Sequence, residues 1–320
     1  MRRHLIRTAL LAALALPAIA LPAWAQSNIR MIYPYAAGGS GDAVIRILAE
    51  KAQAILGQNV LVENRTGGAG RIGIRAVKSS APDGSTFLFT PFAAVTIYPV
   101  VYTTIDYDPF TDLAPVSQIC TFDFGIAVRA DHPATTPQEL IGWLRANPTR
   151  TQYGSPGAGA LPHFFGLLVG KAAGVEMLHV PYAGTPPALS DLMGGQIPLV
   201  TSTASEFVQL HRAGKIRVIA TSGKQRLPLL SEVPTFGEAG IGIEGVGWYG
   251  VFAPAKTPSE MVARMSKALI AAIAMPDVQA RFETFGLRPT GTTPDQLGAI
   301  QKADARLWEP IVKASGFRAD

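Results

Sequence analysis

The sequence predicts an α/β fold in which parallel-rich sheets are flanked by helices. Two observations carry that expectation. Short apolar runs rich in Val, Ile and Phe alternate with stretches whose apolar residues recur at helical spacing, and Gly, Pro, Ser and Asp punctuate the joins. Strands that alternate with helices pair in parallel and are covered on both faces. A chain of 320 residues also exceeds the size at which one core usually keeps growing, so two domains are expected.

The first residues read as an export signal. Arg2, Arg3 and Arg7 precede an apolar run over residues 9–20, and Ala23-Trp24-Ala25 offers the small-x-small pattern that signal peptidase cuts after. Pro17 and Pro22 interrupt the run, whereas a retained span wants about 20 uninterrupted apolar residues. Residues 1–25 are therefore expected to leave, giving a periplasmic chain that begins at Gln26. The formal charge of +5 includes the three leader arginines, so the mature chain is only mildly basic. Lys and Arg form no run, and nucleic acid is not expected as a partner. Cys120 is the only cysteine, which rules out an intramolecular disulfide and a thiolate metal cluster.

The elements follow in order. "IRMIYPY" reads as a strand, and residues 42–56 as a helix with Val44, Ile45, Leu48, Ala52 and Ile55 on one face. "NVLVEN" is a strand, residues 72–79 a helix and "STFLFTP" a strand. "LAPVSQICTFDFGIAVRA" is β-rich, with no turn signal before Asp131-His132-Pro133. A helix over 137–146, the strand "TQYGS" and a helix over 162–173 come next. They are followed by "MLHVPY", a helix over 185–193, "IPLVTST", a helix over 206–213 and "KIRVIATS". After a Pro/Gly-rich passage "GWYGVFAPA" is again strand-like, and residues 258–313 are mostly helical, broken at Pro276, Pro289 and Pro294. The β-rich passages at 122–125 and 245–249 suit two crossings between lobes. They give a discontinuous first lobe, residues 26–123 and 249–320, and a second lobe, residues 124–248. Ligands of such sheets bind in the cleft outside the carboxyl ends of the strands.

Two glycine-bearing strand-to-helix loops point to an anion. Gly38, Gly39, Ser40 and Gly41 separate the first strand from its helix, and Ser155, Gly157 and Gly159 do the same in "YGSPGAGALPHFFGLL". Amides at a helix start, free of Cβ atoms, form an anion pocket; an ordinary turn capped by Ser40 or Asp42 is the alternative at the first loop. One such loop in each lobe would grip a small anion from both sides. Gly68, Gly70 and Gly73 spell G-x-G-x-x-G, but no acid lies about 20 residues on to hold a ribose, so no dinucleotide and no cofactor is expected. His132, His163, His179 and His211 lack metal-ligand spacing. A hydrolase built on Ser155, His163 and an unplaced acid stays open as an alternative. Asp106 and Asp108 read as a solvated turn. Tyr35, Phe92, Phe122, Phe124, Trp248 and Tyr249 fall at strand ends or crossings, most of them as core, with one or two lining the cleft and raising an aromatic carboxylate as ligand.

These blocks carry a resemblance. "IRMIYPYAAGGSGDAVIR", "GQNVLVENRTGGAGRIGIRAV", "APDGSTFLFTP", "YDPFTDLAPVSQI", "YGSPGAGALPH", "HVPYAGTPPALSDLMGGQI", "AGKIRVIATSGKQRLPLLSEVPTFGEAGI", "GWYGVFAPAKTP" and "RFETFGLRPTGTTPDQL" occur in this order. Together they resemble the substrate-binding proteins of tripartite tricarboxylate transporters, the Bug (TctC-like) family. The resemblance implies a two-lobe type II periplasmic binding protein of the Venus flytrap kind, a monomer without enzymatic activity. It would shut a small carboxylate between its lobes and deliver it to membrane permease subunits, or signal to a partner. It places the ligand at Tyr35, Ala36, Gly38, Gly39 and Asp42, with Thr90, Phe92 and Ala93 in the same lobe. From the second lobe it adds Ser155, Pro156, Gly159 and Ala160, then Tyr182, Ala183 and Gly184, then Thr201, Ser202 and Thr203. Ala36-Ala37 stands where this loop commonly carries a proline-containing segment.

Overall fold

The computed structural model describes residues 28–38, 40–182 and 184–319; the expected leader, Gly39 and Ala183 lie outside the described residues. The first half runs β1 (Ile29–Tyr33), α1 (Ser40–Leu56), β2 (Val60–Asn64), α2 (Arg71–Lys78) and β3 (Thr86–Pro91). Two single-turn helices, α3 (Ala93–Thr96) and α4 (Tyr98–Val101), then lead to β4 (Leu113–Arg129). After β4 come α5 (Pro137–Ala146), β5 (Gln152–Pro156), α6 (Leu161–Ala173), β6 (Leu178–Tyr182), α7 (Thr185–Met193) and β7 (Leu199–Thr203). A 3-10 turn at Ala204–Phe207 precedes α8 (Val208–Arg212) and β8 (Ile216–Thr221). The chain closes with β9 (Val246–Pro254), α9 (Ser259–Ile273), α10 (Pro276–Thr284), β10 (Arg288–Pro289) and α11 (Pro294–Ala314).

Local chemistry explains the ends. Thr136 and Glu139 form a capping box that starts α5, with Pro137 at the first helical position. Thr293, Pro294 and Gln296 repeat the device on α11. On α1, Val44, Ile45, Leu48 and Ala52 are buried, as the periodicity requires. Gly170 lets α6 lie against the carbonyl of Val175, where a Cβ would come within 2.9 Å.

Pairing divides the strands into two parallel sets. β1 runs parallel to β2 and β3, and β5 runs parallel to β6 and β7. β9 is antiparallel to both β3 and β4. The long strand β4 joins the sets because it changes partners midway: Leu113 to Asp123 pair with β9, and Phe124 to Val128 pair with β7. β9 begins at Val246, opposite Asp123, so both connections between the sets pass the same level. One core runs through both sets, including Phe89, Phe124, Phe165 and Trp248, while a second around Leu192, Val200, Phe207 and Val218 lies beneath β7 and β8.

The partner switch is pinned by an ion pair with a buried carboxylate. The Asp123 carboxylate is fully buried and takes a 2.6 Å bond from Arg288 Nη1. Arg288 Nη2 also donates to the carbonyls of Gln225 and Arg226, at 3.0 and 3.3 Å. Gly223 faces Asp123 so closely that a Cβ there would lie 2.5 Å from Oδ2. The three groups tie β10, β4 and the segment after β8 into one knot.

Some elements differ from the sequence reading, among them the short strand β10 inside the stretch read as mostly helical. α3 and α4 follow β3 directly, in a stretch with no helical period long enough to detect. The helix expected over 206–213 is two pieces, the 3-10 turn, which starts directly after β7, and α8. Among the described residues, no helix is long and apolar enough to cross a membrane.

Candidate functional site

The site is built from loops that leave the carboxyl ends of parallel strands. In the first, between β1 and α1, Gly38 has φ +93°, a conformation that L side chains rarely adopt. Its N–H donates to Asp42 Oδ2 at 3.1 Å. Asp42 also accepts from Arg46 Nε at 2.9 Å and Asn64 Nδ2 at 2.9 Å, and Asn64 Nδ2 donates in turn to the Tyr35 carbonyl at 3.1 Å. Burial pushes the Asp42 carboxyl up, but the bonds from Arg46, Asn64 and Gly38 outweigh it and hold it below the usual carboxylate range. Asp42 thus shapes the loop. Behind the loop, Tyr35 packs on the turn at Gly68–Gly70, where Ala69 is held at φ 55° while its carbonyl accepts from Tyr98 Oη at 3.0 Å. A Cβ at Gly73 would meet the Arg65 carbonyl at 2.8 Å, so the G-x-G-x-x-G glycines serve close packing.

Ser40 and Gly41 open α1 over a pair of tyrosines. The Tyr249 hydroxyl lies near the hydroxyls of Ser40 and Tyr33. Burial pushes Tyr249 up to about 12, against the lowering effect of Ser40 and Tyr33. A Cβ on Gly41 would lie 2.8 Å from Tyr33 Cζ and 3.0 Å from Tyr249 Cε1. The amides of this first turn have no carbonyl one turn back to bond.

The second loop, between β5 and α6, has Gly157 and Gly159 at φ +80° and +76°. Gly157 N–H donates to the Tyr182 carbonyl at 2.9 Å, joining this loop to the end of β6. Gly159 N–H donates to His163 Nδ1 at 3.1 Å, which assigns that nitrogen as the acceptor. The helix cap, Ala160, has no side chain that could accept from the first turn of α6. Gly184, at the start of α7, is likewise an uncapped entry. Ser155, fully buried, shares a 2.7 Å hydrogen bond with His179 Nε2, and the rings of His163 and His179 stack at 3.9 Å with 15° between planes. Burial lowers His179 to about 4; burial and then the neighbouring ring lower His163 to about 3. Both imidazoles are neutral at ordinary pH.

The third loop follows β7. Ser202 Oγ and Thr185 Oγ1 lie 2.6 Å apart, and both donate to Glu206 Oε2, Ser202 at 2.7 Å. Glu206 itself is exposed, while Thr185 and Ser202 are buried.

The residues expected at the site divide accordingly. Tyr35, Ala36, Pro156, Ala160, Tyr182, Gly184 and Thr203 keep an accessible part at the loops. Thr90 and Phe92 are fully buried and Ala93 nearly so; Phe92 tilts against Trp248 at 5.6 Å between ring centres. Thr201 Oγ1 donates to the Pro162 carbonyl at 2.7 Å and holds α6 to β7. Of the aromatics singled out earlier, only Tyr35 and Tyr249 remain partly accessible. His179, Thr185 and Glu206 were not anticipated: no local spacing marks them, and only the register of β6 and β7 beside β5 brings them in. Ser155 pairs with His179 and not with His163, and among the described residues no carboxylate contacts either ring. Among the described residues, no three His, Cys, Asp or Glu side chains gather where they could hold a metal.

Comparison with known proteins places this arrangement. The family model described as "Tripartite tricarboxylate transporter family receptor" (TctC) matches residues 44–317. A protein from Cupriavidus necator, encoded in the gbd 5' region, is 36% identical over 99% of this chain and 98% of its own length. The solved periplasmic binding protein BugD is 32% identical, with a TM-score of 0.77 over 92% of this chain and 99% of that one. R. palustris Rpa4515, solved with adipate, is 30% identical, with a TM-score of 0.81 over 92% of this chain and 99% of that one. The fold is that of a periplasmic binding protein, and the chain belongs to the tripartite tricarboxylate transporter receptor family.

Proposed function

We propose that the protein is an exported receptor that captures a small carboxylate between two lobes and hands it to the permease of a tripartite tricarboxylate-type transporter. The lobes are residues 26–123 with 249–320, and 124–248. The change of partners at Asp123 and Phe124 supports the first boundary, and the start of β9 at Val246 falls near the second. The observation that carries the reading is a pair of helix starts, at Ala160 and Gly184, without a side-chain cap; Pro162, Pro186 and Pro187 have no N–H and the His163 N–H bonds the Ala160 carbonyl, so Leu161 and Thr185 are the first-turn residues that can donate. The amides of Ser40 and Gly41 at α1 complete the set. Bare N–H groups and the positive end of a helix attract an anion without any arginine. Three or four hydrogen bonds to a carboxylate contribute about 1.5–3 kcal/mol each. After the costs of association and closure, the roughly −8 kcal/mol of micromolar binding is within reach. Relatedness to a protein solved with adipate supports the ligand class.

Ser155 and His179 form the one contact that favours a hydrolase, but the serine is fully buried and the imidazole is held neutral without a carboxylate behind it. The test is a thermal-shift screen of the purified protein against small carboxylates, followed by calorimetry. Saturable binding with the ligand recovered unchanged supports the receptor. Turnover of a simple ester, or no response to any carboxylate, overturns it.

A further inference from the structure

Glu206 is out of place in a cradle for anions. It sits on the 3-10 turn at Ala204–Phe207, directly after β7, and its Oε2 is fixed by the hydroxyls of Thr185 and Ser202. Both of those residues are buried, whereas Glu206 itself is exposed, so the carboxylate is anchored from below and open above. Among the described residues, no hydrogen bond reaches its other oxygen, Oε1, and no lysine, arginine or histidine forms an ion pair with it.

Its direction follows from its neighbours. Ser205 lies against Gly286, where a Cβ would meet Ser205 Cβ and Leu229 Cδ1, so this face of the turn is packed. Ala204 and Phe207 pack on Gly125 of β4, which covers a second face. Thr185, which holds the carboxylate, is the first residue of α7, and Ser202, which holds it too, stands near the carboxyl end of β7. The carboxylate therefore lies beside the uncapped start of α7, one of the helix starts proposed to hold the ligand.

A fixed negative charge there discriminates strongly. A ligand with ionised carboxylates at both ends would bring one of them toward Glu206, and like charges in a partly desolvated site are a common device for rejecting a partner. A ligand with a hydrogen-bond donor in that place would complete Oε1. We propose that Glu206 sets the specificity of this cleft for a carboxylate that also carries a donor, an ammonium or hydroxyl group, turned toward it, and against a second ionised carboxylate. This rests on the receptor reading above and names its ligand class more narrowly.

The test uses two matched sets on the purified protein by calorimetry: succinate, γ-aminobutyrate and γ-hydroxybutyrate, and then adipate, ε-aminocaproate and ε-hydroxycaproate. At one length or both, the amine or hydroxy compound is expected to bind at least about tenfold more tightly than the dicarboxylate, since tenfold is about 1.4 kcal/mol. Glu206→Gln is expected to shrink that preference by about tenfold, with the dicarboxylate gaining. A larger loss for the amine than for the hydroxy compound identifies an ammonium; equal losses identify a hydroxyl. Dicarboxylates that bind the unaltered protein as well as or better than their matches overturn the role of Glu206 and leave the receptor standing. So does a preference that survives Glu206→Gln. If none of the six binds, both readings fail. The comparison on the unaltered protein decides the matter even if the variant does not fold.

Discussion

Lowering the pH from 7 to 5 is expected to remove about 2–4 kcal/mol of folding stability through two stacked side chains, His163 and His179. Burial lowers His179 to about 4, and burial with the neighbouring ring lowers His163 to about 3, against about 6.5 in an unfolded chain. Because the folded values are depressed, both rings stay neutral in the native state. The unfolded chain begins to bind protons below pH 6.5, so their stabilisation is complete above that pH and is lost as the pH falls toward 4. Each ring contributes a slope of up to about 1.4 kcal/mol per pH unit, which integrates to nearly 2 kcal/mol between pH 7 and 5. Solvent near the partly exposed His179 reduces the sum, hence the range. The assay is urea denaturation at pH 7, 6 and 5 for the wild type and for a His163→Gln/His179→Gln double variant. His132 is also lowered by burial and titrates in both proteins, so only the difference in slope is read. The wild type should lose about 2–4 kcal/mol more than the variant over that range. Parallel curves would refute the buried neutral stack.

Three further outcomes follow from the site and the partner switch. Asp42→Asn is expected to cost about 2 kcal/mol in chemical denaturation and to weaken carboxylate binding about tenfold in calorimetry, because the Gly38 N–H and Asn64 lose the charge that fixes the loop. Gly41→Ala should lower stability by about 1–3 kcal/mol and abolish binding, since Tyr33 is 6% exposed and cannot yield to a Cβ 2.8 Å from its Cζ; an unchanged melting temperature would contradict the packing. Arg288→Met leaves the Asp123 carboxylate buried without a cation and should cost about 3–5 kcal/mol, with Asp123→Asn in the same chain restoring part of it.

Much of the fold was legible because burial on both faces writes continuous apolar strands, and amphipathic helices write a period. β4 is the clearest case: Leu113 to Arg129 holds Pro115, Asp123 and Gly125 singly but no adjacent pair of turn residues, and it runs unbroken past the point where its partners change. α3 and α4 left no trace, since one turn is too short for a period and Pro99 reads as a breaker. At the site, the glycine loops were visible because Gly38, Gly157 and Gly159 occupy conformations that other residues avoid. What each side chain does there was not. Asp42 was expected to meet the ligand, and its carboxylate also braces the loop through Gly38, Arg46 and Asn64; Ser155 looked like a partner of His163 and bonds His179, a residue from the next strand. Glu206 gave no signal, because its partners Thr185 and Ser202 meet it only after β7 has paired.

The central claim is that loops from both strand sets hold one carboxylate. Hydrogen–deuterium exchange on the purified protein, with and without the tightest binder among adipate, succinate and γ-aminobutyrate, tests it directly. The account expects amide protection to rise together over residues 35–42 and 155–161, to the same degree at each ligand concentration. Protection confined to one of these loops, or appearing only elsewhere in the chain, would contradict it.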